Sequence, residues 1–226
     1  MHRRELLDSL VGLLPEPVEG ERVIVGIDGR DGVGKTTLAD ELAGRLSFLG
    51  EVARASLDGF HHPRAHRYRR GQSSGEGYWE DAFDTEGVVQ ELLGPWRSGR
   101  GAWRAAIHDV RSDERLDLPA EPVPSAGVLV VDGVFLARPE LVGFWTTLIL
   151  LDAPLSVSQG RGAARDGLPA DAFGPTDKYA TAHALYQSAC DPQSRADVLI
   201  DATDLDEFRI VRGQHAAPAD RDATSG

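Results

Sequence analysis

The stretch Gly29-Arg30-Asp31-Gly32-Val33-Gly34-Lys35-Thr36-Thr37 decides the fold class of this chain. It fits the pattern G-x-x-x-x-G-K-[ST], with Gly29, Gly34, Lys35 and Thr36 at the fixed positions. An apolar run precedes it (Val23, Ile24, Val25, Ile27), and a helix-like run follows (Leu38, Ala39, Leu42, Ala43, Leu46). That is the strand–loop–helix setting of a phosphate-binding loop. Its glycines let backbone N–H groups turn inward around phosphate oxygens, where a side chain would block them. Lys35 is placed to reach the β- and γ-phosphates of a nucleoside triphosphate, and the Thr36 hydroxyl to hold Mg²⁺. A glycine-rich turn that binds nothing is the plainer alternative, and the flanking strand and helix argue against it.

Composition narrows the setting. At 226 residues and 41% apolar, with a mean hydropathy of −0.28, the chain suits one well-buried domain. The reading is a single domain over 1–212, with a substrate-binding insertion at about 59–83, a lid at about 155–178 and a disordered tail at 213–226. No apolar run approaches the roughly 20 residues a membrane helix requires, so no membrane partner is expected. The start, Met1-His2-Arg3-Arg4-Glu5, has no clean apolar core and is not expected to be a secretion signal. Cys190 is the only cysteine, which excludes an internal disulfide and fits a reducing cytoplasm; a buried small side chain is its expected role. A net charge of −12 argues against nucleic acid as a partner. Homo-oligomerisation is left open. One basic segment stands out, His61 to Arg70, with four arginines and three histidines. It follows Asp58 directly. Its arginines can be held by the chain's own carboxylates, or they can read an anionic substrate.

Along the chain, helices are predicted at 5–14, 35–48, 154–165 and 176–190. A helix from Asp84-Thr85-Glu86 to Leu93 is expected to stop at Gly94-Pro95. Strands are predicted at 22–28, 51–57, 127–132, 146–152 and 196–201, with a further strand at 102–109 and loop through 59–80 and 112–125. Apolar strands alternating with helices give an α/β, three-layer P-loop NTPase fold: a mostly parallel five-stranded sheet with helices on both faces. Ligands then gather at the carboxyl ends of the strands, where Asp28, Asp58, Asp109, Asp132 and Asp152 are expected.

The remaining motifs point to a kinase. The sequence contains no asparagine, so no Asn-Lys-x-Asp guanine reader, and no Leu-Ser-Gly-Gly-Gln stretch. Asp132 ends Val-Leu-Val-Val-Asp, a position from which a carboxylate holds Mg²⁺ directly or through water, so Thr36 and Asp132 are the candidate metal residues. Asp58, after a different strand, is the candidate base for an acceptor hydroxyl; starting a turn with Gly59 is its alternative role. Arg161 and Arg165 lie four apart, on one face of a helix loosened by glycines at 160, 162 and 167. They are candidates for closing over the triphosphate, unless that face is simply solvated.

With these pieces in order, residues 22–201 resemble the uridine kinase-like P-loop kinases, a group that includes phosphoribulokinase and bacterial-type pantothenate kinase. The similarity rests on the phosphate loop, Ser56-x-Asp58-x-Phe60, Asp81-Ala82-Phe83-Asp84, Val130-Val131-Asp132-Gly133, Arg161 with Arg165-Asp166, and Cys190-Asp191-Pro192. It implies a nucleoside-kinase-like fold with a mobile lid, ATP and Mg²⁺ as donor pair, ATP contacts over Gly29, Arg30, Asp31, Gly32, Val33, Gly34, Lys35, Thr36 and Thr37, and catalytic roles for Lys35, Asp58, Arg161 and Arg165. The acceptor it implies is a small molecule with a primary hydroxyl, a nucleoside first; a phosphosugar or a pantothenate-like acid is the alternative, and an ATP-dependent switch an alternative of another class. The chain departs from the pattern where substrate is read. His61 replaces an aromatic, Tyr78-Trp79-Glu80 replaces Phe-Asp-His-Pro, and His108-Asp109 replaces Tyr-Asp. Asp113 stands in for a histidine, and Arg115 is retained. Asp58, His61, Arg64, Tyr78, Asp81, His108 and Arg115 are accordingly the candidate substrate contacts.

Overall fold

The clearest strand of the sequence, Gly127–Asp132, lies in the middle of the protein and is buried at every residue. In the computed structural model, which describes residues 1–16, 20–48, 50–169, 172–174 and 176–213, it is one of six strands in a single sheet. The six are β1 (Arg22–Gly29), β2 (Val52–Ser56), β3 (Gly127–Asp132), β4 (Thr147–Asp152), β5 (Val198–Asp201) and β6 (Arg209–Gly213). Their order is β6-β5-β4-β1-β3-β2; the first five in the chain are parallel, and β6 runs antiparallel along β5.

Alternation along β3 explains the layers. Leu129 and Val131 face one hydrophobic cluster, and Val128 and Val130 face the other, because successive strand side chains point to opposite faces. On one face lie α1 (Arg3–Leu13) and α2 (Lys35–Leu46). They bury Leu6, Leu10, Leu38, Leu42 and Leu46, each stabilising the fold by roughly 1.5–3 kcal/mol. The other face is aromatic, with Trp79, Trp96, Trp103, Phe135, Trp145 and Tyr186. Trp79 sits on α3 (Gly75–Asp81) and Tyr186 on α5 (Lys178–Cys190); α4 (Leu155–Arg165) covers the carboxyl end of the sheet.

Five expectations need correction. The sheet has a sixth strand, an edge strand whose burial alternates between exposed and half-buried, with only Ile210 and Arg212 turned inward, so its apolar signal is weak. Gly213 belongs to that strand; residues 214–226, the rest of the expected tail, lie outside the described residues. The helix from Thr85 runs through Gly94-Pro95 to Ser98, by way of a wider π segment at Val89–Leu93. Pro95 lacks the N–H that would bond the Glu91 carbonyl, and the Arg104 N–H takes that carbonyl instead at 2.8 Å. The predicted strand at 102–109 is two short pieces, Ala102–Trp103 paired with Glu121–Pro122 and His108–Asp109 paired with Glu114–Arg115. Asp109 is thereby removed from the main sheet; its carboxylate accepts the Arg111 N–H at 2.7 Å and closes a turn. The region 59–80 is not structureless either, since it holds a turn of helix at Arg64–Arg67 and most of α3.

Candidate active site

β1 ends at Gly29 and α2 begins at Lys35, with the phosphate loop between them. Gly34 caps α2 at φ 101°, and Gly32 has φ 79°, both in the left-handed region that favours glycine. A Cβ on Gly32 would lie 2.2 Å from the Ser158 carbonyl, so the loop packs directly against the backbone of α4. The expected lid helix is docked on the phosphate loop in this structure; of the lid segment, residues 170, 171 and 175 lie outside the described residues. Val33 is fully buried and anchors the turn, while Thr36 and Thr37 are exposed at the start of α2. Lys35 is buried, and its Nζ donates to the Arg30 carbonyl at 2.8 Å, across the mouth of the loop.

The register of the sheet assembles the metal corner. Ile27 of β1 and Ser56 of β2 both pair with Asp132, which places the ends of three strands side by side. Thr36 Oγ1 donates to Asp132 Oδ2 at 2.6 Å. Arg54 of β2 donates to the other oxygen, Oδ1, at 2.7 Å and also reaches Asp40 of α2 at 2.9 Å. A hydroxyl and one carboxylate beside a phosphate loop fit Mg²⁺, which is commonly held by one or two protein oxygens together with substrate phosphates and water. Among the described residues there is no group of three or more His, Cys, Asp or Glu placed to bind a metal by itself.

Beyond the loop opens a cavity of about 420 Å³. It collects Arg30 and Asp31 from the phosphate loop, Asp58 and His61 from the segment after β2, Tyr78 from α3, and Arg165 from α4. Asp58 is exposed, on a short 3₁₀ turn (Leu57–Phe60) capped by the Ser56 side chain, which accepts the Asp58 N–H. Burial pushes the Asp31 carboxyl up, and its neighbour Asp58 adds to the rise. Tyr78 Oη donates to Asp31 at 3.4 Å. His61 Nδ1 lies 2.9 Å from the Asp58 carbonyl, which can only accept, so the proton sits on Nδ1 and Nε2 remains an acceptor. Burial lowers the His61 pKa, which keeps the ring neutral.

Of the expected catalytic and substrate residues, six do not line this cavity: Lys35, described above, and Arg64, Asp81, His108, Arg115 and Arg161. Asp81 is fully buried and bridges Arg69 and Arg70; burial pushes its carboxyl up, but the two arginines outweigh that and hold it low. Arg64 donates its backbone N–H to Asp113 and its guanidinium to the Arg111 carbonyl. His108 is buried 3.5 Å from Asp113, and Arg115 is exposed on the small hairpin. Arg161 donates to the Ala202 and Thr203 carbonyls beyond β5, at 2.7 and 2.8 Å, whereas Arg165 lies at the cavity and pairs with Asp166. The two arginines share a helix face but not a destination.

Arg67, from the basic segment singled out in the sequence, lines the cavity, and so do residues that escaped the sequence reading: Tyr68, Gln159, Lys178, Tyr179 and His183. Three of them come from α5, more than a hundred residues beyond Asp58, where Lys178 to Cys190 reads as an ordinary helix. His183 is buried beside Arg30 and Lys35, and burial lowers its pKa to about 3, so it is a neutral ring. Below it, Tyr186 Oη donates to the fully buried Asp28, tying α5 to β1.

This arrangement, a phosphate loop opening onto a cavity with a carboxylate at its rim, sits on a fold that recurs in solved structures. A possible uridine kinase from Bacillus stearothermophilus superposes with a TM-score of 0.66, at 24% identity over 87% of this chain and 95% of that one. D-glycerate 3-kinase from Cryptococcus neoformans superposes with a TM-score of 0.54, at 11% identity over 92% and 98%. The chain has their fold. No family model and no curated protein matches the sequence. No described helix is long and apolar enough to cross a membrane.

Proposed function

We propose that this protein is an ATP-dependent kinase that transfers the γ-phosphoryl group to a hydroxyl of a small metabolite bound in the 420 Å³ cavity. The observation that carries the reading is the shared lining: Arg30 and Asp31 of the phosphate loop and Asp58 face one space, so donor and acceptor sites are continuous. Asp58 orients the acceptor hydroxyl and takes its proton as that oxygen bonds to the γ-phosphorus and ADP leaves. Lys35 exchanges its bond to the Arg30 carbonyl for phosphate oxygens, and Arg165 moves from Asp166 toward the transferred group. Thr36 and Asp132 would hold Mg²⁺, which neutralises charge on the β- and γ-phosphates when bound. Arg161, committed to the carbonyls beyond β5, shapes the nucleotide side rather than the reacting group.

A nucleoside is the acceptor suggested by the uridine kinase resemblance. Against it, three residues expected to read a nucleoside, Asp81, His108 and Arg115, are held away from the cavity, so the reading rests on the alcohol and not on the base. The test is ADP formation with and without a panel of alcohols, with the product identified by mass. Acceptor-dependent ADP formation supports a kinase; ATP turnover that no alcohol changes favours a regulatory switch.

A further inference from the structure

Two cations crowd the ring of Tyr68. Arg67 Cζ lies 5.2 Å from its centroid and Lys178 Nζ 5.8 Å. The same ammonium is 5.8 Å from the Tyr78 ring and 5.0 Å from the Tyr179 ring, so three tyrosines surround it. All of these residues line the cavity that holds Asp58. Among the described residues Lys178 has no carboxylate within ion-pair distance. Its neighbour Asp177 is spent on the N–H groups of Tyr179 and Ala180 and on Gln159. Arg67 is only 8% exposed, its Nε has no partner among the described residues, and its Nη2 reaches Asp113 at a long 3.4 Å. Arg67 lines the cavity with a guanidinium whose one carboxylate contact is long, so its charge can be engaged by an anionic ligand there.

Tyr78 joins this cluster to the phosphate loop, with its hydroxyl 3.4 Å from Asp31 and its ring beside Lys178. Cation–π contact steadies the ammonium without neutralising it, so its charge is available to an anion. A neutral nucleoside offers it carbonyl and hydroxyl oxygens but no opposite charge.

We propose that the acceptor carries an anionic group, a carboxylate or a phosphate, which Arg67 and Lys178 hold while its hydroxyl faces Asp58. This rests on the kinase reading above and narrows it to hydroxy acids or phosphorylated alcohols.

The test is calorimetric titration of the full chain, saturated with AMP-PNP and Mg²⁺ to occupy the phosphate loop. Matched probes are ribose and ribose 5-phosphate, glycerol and glycerate, with uridine as the neutral nucleoside. At least one anionic probe should bind tenfold or more tightly than its neutral partner, and which one does separates phosphate from carboxylate. Lys178→Met should weaken that binding about ten- to a hundredfold, Lys178→Arg should keep most of it, and both should bind AMP-PNP as the wild type does. Three results overturn the proposal: uridine or a neutral probe binding as tightly as the anions, neither anion binding, or Lys178→Met lowering AMP-PNP affinity instead. ADP formation that no acceptor changes, with anion binding intact, would refute the kinase reading and leave the anion site standing.

Discussion

Replacing Arg54 by methionine removes the donor that holds the second oxygen of Asp132. That carboxylate is only 3% exposed by side chain and would keep only the Thr36 hydroxyl. Truncating one partner of a fully buried ion pair costs roughly 3–5 kcal/mol, and losing a hydrogen bond to a charged group roughly 1.5–3 kcal/mol. Arg54 is 24% exposed, so water can reach the space it leaves, which selects the lower range. Its other bridge, to Asp40 at 61% exposure, adds only about 0.2–1 kcal/mol. The expected loss is about 2–3 kcal/mol, or about 4–12 °C in Tm for a chain of this size. Urea unfolding of the Arg54→Met and Asp132→Asn variants and of the double variant supplies the assay, because the cycle isolates the pair. A single-variant loss below about 0.5 kcal/mol, or a coupling near zero, would refute the view that Arg54 holds the metal-side carboxylate in place.

Lys35→Ala should leave the fold intact and lower turnover by about 10³-fold or more, since it removes the cation that follows charge onto the transferred group; near-normal turnover would remove the phosphate loop from the chemistry. Arg165→Ala should lower kcat more than it raises the KM for ATP, whereas Arg161→Ala, which frees two carbonyls beyond β5, should lower Tm and raise the KM for ATP with a smaller effect on kcat; identical kinetic profiles would contradict their separation. His183 is held neutral at about 3 against an ordinary 6.5, so below pH 6.5 the unfolded chain binds a proton that the folded chain refuses. Stability is therefore lost as pH falls, by up to about 1.4 kcal/mol per pH unit between those values, and His183→Gln should gain roughly 1–2 kcal/mol on the wild type between about pH 6.5 and 5. Parallel urea midpoints over that range would show that burial of His183 is not what makes the protein acid-sensitive.

The fold was legible because its signals are local. Val128 to Val131 form an unbroken apolar run, and Gly29 to Thr36 can only be a tight turn onto a helix, so five strands and the helices between them followed from periodicity and punctuation. β6 was missed because an edge strand with exposed Arg209, Val211 and Gly213 buries too little to show in the pattern. Gly94-Pro95 misled because the compensating partner of the Glu91 carbonyl, Arg104, belongs to a later segment. The site divided in the same way. Asp58 and Asp132 stand at strand ends and were found from them, and His61 was found from the basic segment after Asp58 and its place in the family pattern. Lys178 and His183 reach the cavity only when α5 folds back over it, and Asp81, His108 and Arg115 were misplaced because nothing local shows that Arg69 and Arg70 claim Asp81, or that His108 and Arg115 pair across a small hairpin that lines the cavity through Val110 instead.

The role of Asp58 tests the account most directly. With an acceptor that supports ADP formation, kcat and ATP affinity are to be measured on the wild type and on Asp58→Asn. The substituted side chain keeps the size of the original and the 3₁₀ turn but cannot take a proton, so kcat should fall by about 10²–10⁴-fold while the Kd for ATP stays within about threefold. An Asp58→Asn protein with undiminished kcat would contradict phosphoryl transfer at this cavity and reduce Asp58 to a residue that starts a turn.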